Sequence, residues 1–355
     1  MKDEISGITD HVTNKENELP LVIGVDLGGT QLRAAVLRGA TLITRVGLLT
    51  GENPAPDRVI PRMFQAVRQA LTEAQVSLDQ ITGIGIGAPG PLDAHTGIVF
   101  DPPNLPGWNN VPLRDLFSAE FSVPIFLEND ANAGALGEYM FGAGQNCTDL
   151  VYLTISTGIG GGVISDGRIL DGATGTAGEL GHITIDWHGE RCNCGNIGCL
   201  EQIASGTAIA RQANEAIALG NGDELLTFAL AHPEHDKSAN TPVDSKISAA
   251  TPMHLNTRMV AQAAQAGIPL AHNIIHRAAE ALGVGLVDII HIFNPEIIIL
   301  GGSVTQIGDL FLEPALHIVA TRTMRLPREA VRIVAAKLGN DVGLIGAGAL
   351  IYYNK

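Results

Sequence analysis

Residues 21–39 read LVIGVDLGGTQLRAAVLRG, two β-branched runs flanking a Gly-Gly pair. That is the pattern of a strand, a tight glycine turn and a second strand. The same order returns at residues 149–170, DLVYLTISTGIGGGVISDGRIL, and a third strand–glycine junction, EIIILGGSV, spans 296–304. Two related units opening successive halves of the chain predict a duplicated α/β architecture, two lobes with a nucleotide between them.

The segments around these units fit that scheme. RVIPRMFQAVRQALTEAQV (58–76) and AHNIIHRAAEALGVGLVDIIHIF (271–293) carry apolar residues at helical spacing. ITGIGIGAPGPLD (81–93) reads as a buried strand ending in a Gly/Pro loop, and VPIFLEND (123–130) as a short strand leading into the small-residue helix ANAGALGEYMFG (131–142). DVGLIGAGALIYY (341–353) is expected to be a helix that packs back on the first lobe. The expected bounds are a small lobe over 21–136 and a larger one over 137–340, preceded by a disordered arm at 1–20. A peripheral polar insertion is expected at about 218–256.

Composition narrows the class. Apolar residues make up 45%, charged residues 17% and aromatics 4%, with 42 glycines, a globular and aliphatic balance. A net charge of −15 argues against a nucleic-acid or anionic-membrane surface. It does not exclude a nucleotide, which a backbone cradle can hold. The first twenty residues contain no apolar core of a secretory signal. The most apolar stretch, 282–302, is interrupted by Asp288, His291, Asn294, Pro295 and Glu296, so no membrane span is expected. The expectation is a soluble cytoplasmic protein, a setting in which structural disulfides are unusual.

Three constellations carry chemistry. In Asp26-Leu27-Gly28-Gly29-Thr30, glycines at a hairpin tip let backbone N–H groups approach an anion, and Thr30 adds a hydroxyl. Asp26 is placed to hold a water on Mg²⁺; the alternative is an ordinary hairpin turn. Ser156-Thr157-Gly158 and the glycines after it repeat that logic, and Gly301-Gly302 reads as a strand-to-helix turn able to pass under an adenine ring. In Glu128-Asn129-Asp130, Asp130 reads equally as a helix N-cap or as the carboxylate that accepts a proton from a substrate hydroxyl. Asn104, in PPNLPGW, is a turn residue or a polyol contact.

The third constellation is His182-x9-Cys192-x-Cys194-x4-Cys199. Three thiolates and an imidazole are the ligand set of a tetrahedral structural zinc site, against the alternative of reduced, unliganded thiols. One disulfide among three cysteines would leave a thiol over, and a Cys192–Cys194 bridge would be strained. Cys147, outside the pattern, reads as a small buried hydrophobe. Glu179 and Glu201 flank the cluster, as acceptors for sugar hydroxyls or as solvated surface charge.

Taken together, DLGGT, END, STGIGGG, GELGH and CNCGNIGCLE resemble, in order and spacing, the ROK family of sugar kinases and regulators within the actin-like ATPase superfamily. The resemblance covers about residues 21–352 and implies a two-lobed, ribonuclease H-like duplicated fold with a cleft between the lobes and a zinc knuckle in the second. It implies Asp130 as catalytic base, with Asn104, Asn129, Asp130, Glu179, His182 and Glu201 contacting a hexose. Gly28, Gly29, Thr30, Thr157 and Gly158 would hold the ATP phosphates, Gly302 would lie nearer the adenosine, and His182, Cys192, Cys194 and Cys199 would bind structural Zn²⁺. GAPGPLD, PNLPGW and EQIASGTAIAR look most like the glucokinase branch. The implied activity is ATP- and Mg²⁺-dependent phosphorylation of the 6-hydroxyl of glucose. An N-acetylated amino-sugar (ManNAc or GlcNAc) kinase or a fructose kinase is the rival within enzymes. A sugar-responsive transcriptional regulator is the rival from another class, disfavoured because twenty residues before the first strand are too few for a winged helix-turn-helix. The expected partners are hexose and ATP, with no nucleic acid and no membrane, and the expected assembly is a homo-oligomer, dimer or tetramer.

Overall fold

The computed structural model describes residues 18–232 and 254–354. Most of the expected N-terminal arm and the middle of the expected insertion lie outside the described residues.

The first half is built on one mixed sheet. Strands β1 (Leu21–Leu27) and β2 (Gln31–Arg38) form an antiparallel hairpin across the Gly-Gly turn, with Asp26 opposite Arg33. Short strands β3 (Thr41–Leu42) and β4 (Val46–Leu49) pair with β2. Strand β5 (Ile81–Ala88) runs parallel to β1 and, past the small hairpin β6 (Leu92–Asp93) and β7 (Ile98–Val99), β8 (Ile125–Asn129) runs parallel to β5. Helix α1 (Pro56–Ala74) starts with proline in its first turn and buries Val59, Ile60, Met63, Ala66, Val67 and Ala70, one stripe at three- and four-residue spacing. With α2 (Leu113–Phe121) it closes an aliphatic core that includes Trp108, whose indole N–H donates to the Pro54 carbonyl at 2.7 Å.

The second half repeats the plan. Helix α3 (Asp130–Phe141) leads to β9 (Leu150–Ile155) and β10 (Ile159–Ser165), an antiparallel hairpin over the second glycine turn, edged by β11 (Arg168–Ile169). Helices α4 (Glu201–Ala204), α5 (Gly206–Ala218), α6 (Asp223–Ala231), α7 (Thr257–Gln265) and α8 (Pro269–Phe293) follow. Strand β12 (Ile297–Gly301) runs parallel to β9, and after α9 (Asp309–Arg322) and α10 (Arg325–Ala330) strand β13 (Arg332–Ala335) runs parallel to β12. Each sheet is thus a glycine-tipped hairpin extended by parallel strands. Within the polar stretch after 218, residues 223–231 are helical because Leu225 and Ala229 have an apolar surface to bury against.

Small residues join the halves. The C-terminal helix α11 (Val342–Tyr353) packs against α3, β1 and β5. A methyl group on Gly346 would stand 2.0 Å from the Ala133 carbonyl, and one on Gly85 would stand 1.8 Å from that of Ala347. Such approach is open to glycine alone, which explains the glycine at position 346 within α11. Helix α3 likewise lies close over β10, where a Cβ at Gly162 would meet Ala135 at 2.6 Å. Gly160 and Gly162 therefore make room for a helix, and Ser156, Thr157 and Gly158 form the turn.

Candidate active site

Asn129 and Asp130 stand where β8 meets α3, at the carboxyl end of a parallel strand. The capping role falls to Asn129: its Oδ1 accepts the N–H of Ala131 at 2.9 Å and of Asn132 at 3.3 Å. Asp130 is the first helical residue, its Oδ1 2.8 Å from the Ala131 nitrogen. Its side chain is open to solvent on one face, while crowding by protein on the others disfavours the charged form. That desolvation comes first and the like charge of Asp26 second, with Glu179 adding; they push the acid up to about 7. Behind it, buried Glu128 accepts the Asn129 N–H at 2.8 Å and the Asn132 side-chain amide at 3.1 Å, and burial raises its acid as well.

Asn129 and Glu179 line a small cleft with Gly90, Gly175 and Thr176, residues contributed by both halves of the chain. The Glu179 carboxylate lies 3.9 Å from Nε2 of His182. The other ring nitrogen, Nδ1, faces Cys192 Sγ at 3.6 Å, and Cys194 Sγ is 3.7 Å from Cys199 Sγ. All four donor atoms lie within 4.8 Å of one another. Zinc–sulfur bonds of about 2.3 Å arranged tetrahedrally put neighbouring sulfurs about 3.7 Å apart, so this Cys₃His group fits that ion. Gly195 and Gly198 hold positive φ in the knuckle, as its tight turns require.

Both glycine turns have their carbonyls tied back. Thr50 donates its hydroxyl to the Gly28 carbonyl at 2.7 Å and its N–H to the Thr30 carbonyl at 2.9 Å. In the second turn Gly206 N–H takes the Ser156 carbonyl at 2.7 Å and the Thr207 hydroxyl takes that of Thr157 at 2.8 Å. This leaves the N–H groups of Gly29, Thr30, Thr157 and Gly158 without protein acceptors among the described residues, an arrangement suited to phosphate oxygens. Exposed Asn104 packs on the first turn: a Cβ at Gly29 would lie 3.0 Å from that of Asn104. Glu201 reaches the second, its Oε2 accepting the Ile159 N–H at 2.8 Å.

Two features lie outside what the sequence offered. Asp26 is not free: Nε of Arg33 donates to its Oδ2 at 3.0 Å and Nη2 to the same oxygen, because the hairpin register sets the two residues face to face. Folding DLGGTQLR about its glycines would have paired them on paper. Beside the second turn a cavity of about 870 Å³ is lined by Thr157, Thr207, Asn214, Leu255, Asn256 and Ser303 among others. Gly302, at φ 91°, directs the chain from β12 to Ser303 at its edge, and the Ser303 hydroxyl lies 3.1 Å from that of Ser156. These residues come from four separate segments with no common motif, so spacing gave no signal for them. No helix among the described residues is long and apolar enough to cross a membrane.

Known proteins resemble this chain in sequence and in fold. The glucokinase of Halalkalibacterium halodurans is 34% identical over 93% of this chain and 94% of its own length. A xylose repressor of Caldicellulosiruptor bescii is 31% identical over 93% of this chain and 77% of its own. The crystal structure of a ROK family glucokinase from Streptomyces griseus, in complex with glucose and AMPPNP, superposes with a TM-score of 0.75 at 33% identity, covering 93% of this chain and 98% of that one. The model of the ROK family matches residues 22–353, and the chain belongs to the ROK family.

Proposed function

We propose that the protein is an ATP-dependent hexose kinase that phosphorylates the 6-hydroxyl of glucose. The observation that carries this reading is Asp130, a carboxylate with its acid raised to about 7 that has Asn129 and Glu179 beside it and shares its surroundings with Asp26 of the first glycine turn. A base poised near the operating pH takes a hydroxyl proton as that oxygen attacks.

In this mechanism Asn104, Asn129, Glu179, His182 and Glu201 hold the sugar hydroxyls, and Asp130 receives the proton from the 6-hydroxyl. The sugar oxygen bonds to the γ-phosphorus and ADP leaves. The N–H groups of Gly29, Thr30, Thr157 and Gly158 orient the phosphates in line with the attacking oxygen. The adenosine takes the cavity beside Thr157 and Ser303, with Gly302 at its edge. Mg²⁺ bound with ATP would neutralise phosphate charge, and Asp26, shared with Arg33, is the carboxylate that would hold one of its waters. Structural Zn²⁺ would be held by His182 Nδ1, Cys192, Cys194 and Cys199, which would fix the His182 ring, whose Nε2 lies 3.9 Å from the Glu179 carboxylate.

A coupled assay of ADP formation over a panel of glucose, mannose, fructose, GlcNAc and ManNAc tests the assignment. Glucose is expected to give the highest kcat/KM. Turnover of an N-acetylated sugar in preference to glucose would move the assignment to the amino-sugar branch. Similarity to the xylose repressor supports a second reading, sugar binding without turnover. That reading is favoured only if no sugar of the panel, xylose included, yields ADP while one of them binds by calorimetry.

A further inference from the structure

Glu201 opens helix α4 two residues after Cys199, so its backbone is set by the knuckle. Leu200 N–H donates to the Ile183 carbonyl at 3.0 Å and Gln202 N–H to that of Cys199 at 3.0 Å. From there the side chain spans 42 positions of sequence to the second glycine turn, where Oε2 accepts the Ile159 N–H at 2.8 Å. The turn is shaped to receive it: a Cβ at Gly158 would lie 2.5 Å from that same oxygen. Ile159 directly follows Thr157 and Gly158, whose N–H groups have no protein acceptor among the described residues, so this bond bears on the direction of those groups.

In the proposed mechanism Glu201 also holds a sugar hydroxyl. Its Oε1 accepts no protein hydrogen bond among the described residues. With Oε2 committed to the turn, Oε1 is the oxygen left for a hydroxyl, and Glu201 becomes a two-ended contact.

We propose that Glu201 is a positioning residue that couples sugar occupancy to the geometry of the second phosphate turn, through its hydrogen bond to the Ile159 N–H. This deepens the kinase reading and rests on it for the identity of the sugar. The bond to the turn is independent of which sugar binds. With a hydroxyl on its second oxygen, the Glu201 side chain is fixed, and the N–H groups of Thr157 and Gly158 are held for phosphate before the nucleotide arrives.

The test uses the zinc-loaded full chain and the non-hydrolysable analogue AMPPNP, titrated by calorimetry with and without saturating glucose. In the wild type, glucose is expected to tighten AMPPNP about tenfold. Glu201→Ala is expected to weaken AMPPNP about tenfold in the sugar-free protein and to bring the coupling to about one. Glu201→Gln keeps a carbonyl oxygen for Ile159 and loses the charge; it is expected to restore AMPPNP affinity to within about threefold while the KM for glucose stays raised. Unchanged zinc content and melting temperature in both variants exclude loss of fold. AMPPNP affinity untouched by Glu201→Ala, with glucose KM alone affected, would overturn the proposal, as would Glu201→Gln behaving like Glu201→Ala. The sugar-free arm stands apart from the kinase assignment: a protein that phosphorylates no sugar yet loses AMPPNP affinity in Glu201→Ala retains the positioning role and loses the proposed substrate.

Discussion

The Asn129 side-chain oxygen accepts the N–H of Ala131 at 2.9 Å and so caps the helix whose first residue is Asp130. A cap satisfies amides that would otherwise be orphaned at the helix start, and with Asn129 in that position Asp130 is not required for it. The Asp130 carboxylate shares the Ala131 N–H through Oδ1 at 2.8 Å, and the charges of Asp26 and Glu179 act on it.

Asp130→Asn should abolish turnover with little change in fold. Loss of a general base typically costs about 10²–10⁴ in rate. The expected result is a kcat lower by about that factor with glucose affinity within a few-fold of wild type, measured by the ADP assay and by calorimetry. Sugar-dependent ADP formation at the wild-type rate in this variant would refute the role of Asp130.

The raised acid of Asp130 gives the pH dependence a definite sign. The base acts only when ionised, so kcat/KM should rise with pH through about 7 and fall by about tenfold per unit below it. Stability runs the other way. The unfolded carboxyl ionises near 3.8 and the folded one near 7, so wild type loses stability between these values as pH rises. Asp130→Asn, which carries no charge to lose, should melt higher than wild type at pH 8, with the advantage shrinking toward pH 4. A pH-independent difference in melting temperature would contradict the shift.

The zinc assignment is checked by Cys194→Ser. Cys194 is exposed, whereas Cys192 and Cys199 are buried, so the substitution removes a ligand without opening the core. Elemental analysis should find the metal lost, and the glucose KM should rise because His182 and Glu201 lose their anchor. Full metal content in the variant would remove Cys194 from the ligand set.

Much of this was legible in the order of residues, and the exceptions have physical causes. The two hairpins declared themselves because β-branched runs must stop where glycines allow a turn, and the knuckle because its four donors are close in sequence. Whether Asn129 or Asp130 caps α3 is a one-residue question of helix boundary, which periodicity does not resolve. The bond from Glu201 to Ile159 and the cavity beside Ser303 depend on chain crossings between distant segments. Glycine is ambiguous for a different reason. It serves a turn at Gly158 and close packing at Gly162, and the letter is the same.

That ambiguity can be resolved by experiment, because the two kinds of glycine should fail differently. A methyl group at Gly346 would meet the Ala133 carbonyl at 2.0 Å, backbone against backbone in the joint between α11 and α3. Neither helix can move without disturbing a sheet, so Gly346→Ala should destabilise the protein by about 1–3 kcal/mol, as overpacking does, and lower its melting temperature. A methyl group at Gly158 would meet the end of the Glu201 side chain at 2.5 Å, and that end can swing away. Gly158→Ala should therefore melt close to wild type while losing the bond to Ile159, which raises the nucleotide KM about tenfold. Equal melting-temperature losses in the two variants would show that Gly158 is a packing residue and that Glu201 is too tightly held to yield.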